Sequence, residues 1–428
     1  MFKTTFGTKP AAHAKSLFND IEDLAKKTGL IRRTSKKFSA FGFVLALLKA
    51  VVTGKASFNQ LAMELSHSEA SSLSAQAIWK RVNESAIRFM TSFTAKALKQ
   101  RWGEGQVIPC KIFKRVIIED SSQVKLPSEN HEDFPGHGND KGKTAGCKFD
   151  FAFDLLEAEV ISTTLHRATD QDRELGKDLV DQAKEGDLFL RDMGYFSLGE
   201  FALLEARGAH WLSRLPANVM ASDLDGRKLE TILRSAKGNK VEFEALLGEA
   251  AHPARLLAVR AAPAVAEQRR RERRAEARKH GKEPSQAMLT RDGWYILVTS
   301  VEEELMGDDQ LFDLYRVRWQ IEIIFRAWKQ SAHLQEALKR HSNLFHLQAL
   351  MYAGILHLIL TMKMVSLLQG MSPERVLSIE KIADALTSFL NKLTSLEGFA
   401  NYNPDPRHLQ MDRRSRKSLQ EIAICALS

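Results

Sequence analysis

Hydrophobic and polar positions alternate in two regimes along the chain. Residues 1–108 carry helix-spaced apolar positions. Within them Phe41–Val52 (FGFVLALLKAVV) is an almost unbroken apolar run that stops at Gly54, as a buried helix would. Ser57 and Gln60 have capping-box spacing at the start of a short helix, SFNQLAMEL. A Ser-rich turn (SHSEASSLS) follows, and AQAIWKRVNESAIRFM predicts a second helix capped by Ser74. From about residue 109 the period changes to that of strands. Lys114–Asp120 is a short β-branched run ending on an acid, followed by a polar, Gly-rich loop at 135–146. KFDFAFDLL and EVISTTLHR alternate as the arms of a hairpin. A helix over Asp172–Ala183, a strand over Asp187–Asp192, a helix ending at Gly208 and a strand HWLSRLP complete the series. This order predicts an α/β domain with a mixed sheet.

Residues 216–306 interrupt that order. VEFEALLG, ARLLAVRAA and WYILVTSV read as strands of a separate sheet. From 307 the pattern is helical again, first over 307–345 and then through a C-terminal region, 346–428. The most apolar stretch, Phe345–Leu368, contains His346, Gln348, His357 and Lys363, which suits a buried core helix better than a membrane span.

Composition narrows the class. With 428 residues, 44% hydrophobic and 27% charged, the chain is globular and long enough for several structural units. Cys110, Cys147 and Cys425 lie far apart without zinc-ligand spacing, which suits a reducing cytoplasm. The first fifteen residues lack the apolar core of a secretory signal. A net charge of +9 points to a polyanionic partner, most simply nucleic acid. Much of that charge sits in 267–282, where Arg269, Arg270, Arg271, Arg273 and Arg274 form either a phosphate clamp or a solvated helical tip. The two short helices before residue 90, the second bearing Lys80 and Arg81, have the outline of a helix-turn-helix that reads DNA, or of a plain helical hairpin.

One segment carries chemistry. Drawn as a single helix at 100° per residue, 311–330 places Tyr315, Arg318, Glu322 and Lys329 within an arc of about 60° on an otherwise apolar wheel. Charged side chains buried in line need charged company. An internal Arg318–Glu322 pair at i,i+4 is the plain reading; a phosphate chain with a metal ion beside it is the functional one.

The spacing Tyr315-x2-Arg318-x3-Glu322-x6-Lys329 resembles the Y-R-E-K signature of the bacterial type-four insertion-sequence transposases, enzymes of the DDE group. Ile118-Glu-Asp120 resembles the block that holds the family's first catalytic Asp. Leu190-Arg-Asp192-Met-Gly-Tyr resembles the second, although Met193 stands where the family has Arg. The resemblance implies an α/β ribonuclease-H-like mixed-sheet core, 109–215 with the helix at 307–345. It implies a β-rich insertion at 216–306, an all-α N-terminal DNA-binding domain at 1–108 and a C-terminal helical region. It further implies Asp120, Asp192 and Glu322 as catalytic metal ligands. Two Mg²⁺ or Mn²⁺ ions per site are expected, because in-line phosphodiester displacement uses paired divalent ions on hard oxygens. The partners implied are double-stranded transposon ends and target DNA, with a homodimer in the DNA complex, no membrane, and a cytoplasmic, nucleoid-associated location in a bacterium. Tyr315, Arg318 and Lys329 are expected to hold DNA. Trp294, at the head of an insertion strand, is expected to stack on a flipped base unless it is simply core, and Arg214 to meet a phosphate or a surface acid. The competing reading is a DNA-binding regulator or domesticated nuclease-fold protein without transposition activity.

Overall fold

In the computed structural model the described residues are 8–33, 37–69, 73–103, 105–138, 142–175, 177–339, 341–373, 375–401, 404–411 and 418–427. Positions 139–141 of the Gly-rich loop, 70–72 of the Ser-rich turn and the first seven residues lie outside them. Among the described residues nine strands are formed: β1 (Arg115–Leu126), β2 (Ala145–Asp154), β3 (Glu159–Arg167), β4 (Asp187–Arg191), β5 (His210–Arg214), β6 (Ala221–Asp223), β7 (Lys240–Leu247), β8 (His252–Arg260) and β9 (Trp294–Thr299). The chain divides into two compact units, and β1 contributes its two halves to different ones, the division falling between Asp120 and Ser121.

The first unit joins the N-terminal helices to residues 121–170 and 319–421. Its apolar run forms the helix Ala40–Thr53, capped by the Ser39 side chain and closed by Gly54 at φ 68°, where a left-handed residue is needed. That helix packs on Leu344–Met371, the long central helix of this unit. Leu344–Met371 is apolar and long enough to cross a membrane, yet 94% of its most apolar window is buried in protein. Lys363, on this helix, is buried against Glu159 at 3.0 Å. β2 and β3 form the expected hairpin, Cys147 pairing Arg167 and Asp154 pairing Glu159. Phe149, Phe151 and Phe153 of β2 pack against Phe325 and Trp328 of the helix Gln320–Ser331.

Two local expectations change here. Gln60 N–H donates to Ser57 Oγ, but the Gln60 side chain turns to Glu64 and so does not close the capping box. The predicted helix over 75–90 is two helices, Ala75–Arg81 and Glu84–Lys99. Asn83 leaves helical geometry and caps the second, its side chain accepting from Ser85 N–H.

The second unit comprises 109–120, 171–318 and 422–428. Its sheet runs β1-β4-β5-β9-β8-β7-β6. β1, β4 and β5 are parallel, and the remaining pairings are antiparallel, so the sheet is mixed and flanked by helices. The strands of 216–306 were expected to form a separate sheet; instead β9 pairs with β5 on one side and β8 on the other. A buried central strand must satisfy backbone groups along both edges, and β9 does so only by joining the two sets. Arg255 secures this region by pairing with Glu242 at 2.5 Å and Asp308 at 2.5 Å. Within 172–183, Asp172–Leu175 and Lys177–Asp181 are helical, as expected; position 176 lies outside the described residues.

Candidate active site

Asp120 and Asp192 owe their placement to strand register. Ile118 of β1 pairs with Leu190 of β4 in parallel, so each Asp stands two residues beyond the same rung. Asp192 keeps extended backbone past the end of β4 (φ −78°, ψ 169°), so the alternation of faces continues through it. Both carboxylates are half-buried and share one face at neighbouring strand ends. β1 runs on to Leu126, so Asp120 lies just past the last rung shared with β4 rather than at the end of the strand.

The acids next to them in sequence point the other way. Glu119 Oε2 lies 2.9 Å from Arg191 Nη2, with both side chains buried. Asp187 opens β4 and pairs with Arg115. In the first unit, Asp154 accepts from Leu156 N–H and Asp170 from Arg167 N–H, as turn-forming acids do.

Three further residues of the second unit gather here. Arg318 Nη1 reaches Asp120 Oδ2 at 3.5 Å. Its guanidinium carbon lies 6.0 Å from the Tyr315 ring centre. Burial and then the charge of Asp192 push the Tyr315 hydroxyl up to about 12, against the opposing pull of Arg318 and Arg214. Tyr315 thus reports that Asp192, Arg318 and Arg214 are all close enough to act on it. Arg214 closes β5, opposite Leu297 of β9.

The single-helix wheel over 311–330 does not survive. Asp308–Val317 and Gln320–Ser331 are separate helices. Arg318 N–H bonds to Tyr315 O and Glu322 N–H to Trp319 O, both three-residue closures that tighten the backbone between them. Trp319, expected on the buried face, is 56% exposed. Arg318 is buried, and its guanidinium pairs with Asp120. Glu322 lies in the first turn of the second helix, and Lys329 in its last turn. Lys329 is exposed, although partial burial of its stem lowers its pKa.

Among the described residues no three His, Cys, Asp or Glu side chains are gathered closely enough to hold a metal ion. Two carboxylates at adjacent strand ends nevertheless suit a hard divalent cation. The guanidinium against Asp120 puts positive charge beside one of those donors.

Of the other residues singled out, Trp294 is 4% exposed and the Arg260 guanidinium covers its ring at 4.3 Å, so it offers no free face to a base here. The basic segment is a helix, Pro263–Lys279. Arg273 is held by both oxygens of Asp292, Arg270 donates to Leu289 O, and Arg269 stacks on Tyr295 at 4.1 Å. Arg271 and Arg274 are exposed. A cavity of about 770 Å³ lies beside this helix, lined by Arg234, Arg260, Arg270, Arg274 and Trp294. In the first unit, exposed Lys80 and half-buried Arg81 line a cavity of about 390 Å³ together with Arg32 and Arg33. Arg32 and Arg33 open a basic run, RRTSKK, which is the signal for them in the sequence.

The family model described as "Transposase DDE domain" matches residues 111–358, and the chain belongs to that family. Curated relatives are transposases of insertion sequences. That of IS231B from Bacillus thuringiensis subsp. berliner is 27% identical over 72% of this chain and 70% of its own length. That of IS1151 from Clostridium perfringens is 25% identical over 75% of this chain and 73% of its own length. A solved structure, the piggyBac transposase synaptic complex with hairpin DNA, aligns at a TM-score of 0.47 and 11% identity over 96% of this chain and 87% of that one. The protein is a DDE transposase of the insertion-sequence type, an enzyme that cleaves DNA and transfers its strands.

Proposed function

We propose that the protein binds the terminal inverted repeats of its element and performs cut-and-paste transposition with Asp120, Asp192 and Glu322 as its three acidic ligands. The sheet around β1, β4 and β5 is read as a ribonuclease-H-like core. The observation that carries the site assignment is the parallel register that sets Asp120 beside Asp192. Bound there, a pair of Mg²⁺ or Mn²⁺ ions would activate the attacking oxygen and stabilise the leaving one.

The chain's own groups do the rest. Arg318 and Arg214 supply positive charge beside the acids, where a scissile phosphate must approach. Tyr315 stays protonated at neutral pH, so its hydroxyl can donate to a phosphate oxygen. Lys329, exposed one helix on, and the exposed Arg271 and Arg274 of Pro263–Lys279 hold flanking DNA. Lys80 and Arg81, with Arg32 and Arg33 beside them, add a phosphate contact from the N-terminal helices. Two element ends must be joined, so the working form is a homodimer on DNA, located at the nucleoid.

The test is cleavage of end-containing DNA in Mg²⁺. Asp120→Ala, Asp192→Ala and Glu322→Ala should each abolish cutting while retaining specific binding, because ligands of the ion are lost and groove contacts are not. Wild-type cutting by any one of them removes that residue from the site. Cleavage of scrambled DNA as efficient as that of true ends would favour a general nuclease.

A further inference from the structure

Strands β1 and β4 are tied by an ion pair at each end. At their start the register partners Arg115 and Asp187 pair, Arg115 Nε donating to Asp187 Oδ1 at 2.8 Å. At the far end Glu119 and Arg191 pair at 2.9 Å, with side chains 1% and 0% exposed. Arg191 also grips Glu200, on the helix Leu198–Ala206 behind the sheet. Its guanidinium carbon lies 5.8 Å from the Phe189 ring centre.

Removing a guanidinium and two carboxylates from water is costly, and apolar side chains of similar size hold strands together at least as well. The cluster is therefore better explained by geometry than by stability. A planar guanidinium with several fixed donors can hold two carboxylates in set directions, which a layer of leucines cannot. Glu119 immediately precedes Asp120, and Arg191 immediately precedes Asp192. Successive residues of a strand face opposite ways, so the ion pair lies on the reverse face directly behind the two aspartates. A slip of β1 against β4 by one residue would break the pair and separate Asp120 from Asp192 together.

We propose that Glu119 and Arg191 form a positioning clasp that sets the spacing of Asp120 and Asp192 for a divalent ion. Neither residue touches metal or DNA; they act through their neighbours in the chain. The proposal rests on the reading of Asp120 and Asp192 as metal ligands.

The experiment is calorimetric titration of the full-length protein with Mn²⁺ alone, with thermal unfolding measured in parallel. Glu119→Gln should weaken Mn²⁺ binding about tenfold, the range found when groups that orient metal ligands are removed. Glu119→Asp keeps the charge but shortens the reach, and should show a smaller loss in the same direction; it decides the matter if the Gln variant does not fold. Two controls separate positioning from stability and from charge. Asp187→Asn cuts the tie between the same strands at the other end. Glu200→Gln removes one carboxylate from the same guanidinium. Both should unfold earlier and still bind Mn²⁺ as wild type does. The clasp is refuted if the Glu119 variants bind Mn²⁺ normally, or if either control loses as much affinity as they do. Asp120→Asn guards the underlying reading: undiminished Mn²⁺ binding there would overturn the ligand assignment, whereas a loss there with normal Glu119 variants would overturn the clasp alone.

Discussion

Arg318 and Asp120 form an ion pair at 3.5 Å, with the arginine side chain 8% exposed and the carboxylate 22% exposed. A cation so placed neutralises an acid that would otherwise sit beside Asp192 with little solvent. It also competes with any metal ion for the same oxygens. If Asp120 holds a metal ion as proposed, Arg318 must leave it first, and its release to a DNA phosphate would couple DNA arrival to metal binding.

That coupling can be measured. Arg318→Ala should bind Mn²⁺ more tightly than wild type when DNA is absent, by roughly threefold, since a competing charge is gone. The same variant should cleave element ends poorly, because the phosphate loses its guanidinium. Arg318→Lys should lie between, as an ammonium cannot bridge two oxygens in a plane. Calorimetry without DNA and a cleavage assay with it give the two readings. Weaker Mn²⁺ binding by Arg318→Ala would contradict the competition.

Tyr315 makes a pH-dependent prediction. Its folded-state pKa is raised from 10.0 to about 12, chiefly by burial. Between those values the unfolded chain loses a proton that the folded one keeps. The stabilising contribution is thus complete below pH 10 and declines as pH rises towards 12, at up to about 1.4 kcal/mol per pH unit. Tyr315→Phe should flatten the alkaline decline in urea midpoint over this window. Parallel curves for the two proteins would show that the hydroxyl ionises freely in the fold.

Lys363 and Glu159 are 1% and 7% exposed at their side chains, and the Lys363 ammonium also donates to Gln100 O. Lys363→Met should destabilise the protein by about 3–5 kcal/mol, since it leaves a buried carboxylate without its counter-charge. Adding Glu159→Leu should restore much of the loss. Denaturant midpoints of the single and double variants decide it, and a double variant no better than the single would show that the pair is not the source.

The arginines of the basic helix should divide into two kinds. Arg271→Ala and Arg274→Ala should each reduce the slope of log affinity against log salt by about 0.9, the value of one phosphate contact. Arg273→Ala should leave that slope unchanged and lower thermal stability instead, because its guanidinium already holds Asp292. DNA binding measured over a salt series separates them. A reduced slope for Arg273→Ala would mean that it leaves Asp292 for DNA.

The sequence by itself determined what depends on neighbours in the chain. Phe41–Val52 is helical because twelve nearly continuous apolar residues must be buried and Gly54 permits the stop. The β2–β3 hairpin follows from alternation, and Asp192 follows a short apolar strand. The spacing of Tyr315, Arg318, Glu322 and Lys329 marked the family without any coordinates. What only the tertiary structure decided were relations between residues far apart in the chain. β9 joined the core sheet because a distant strand, β5, had an edge to fill. The helix expected over 311–330 divided near Arg318, which reaches Asp120, almost two hundred positions earlier. Trp294 became core because Arg260, on a neighbouring strand, covers it. Periodicity records which side of an element is apolar, but not which distant element will meet it, because that choice is made by packing and by the pairing of buried charge.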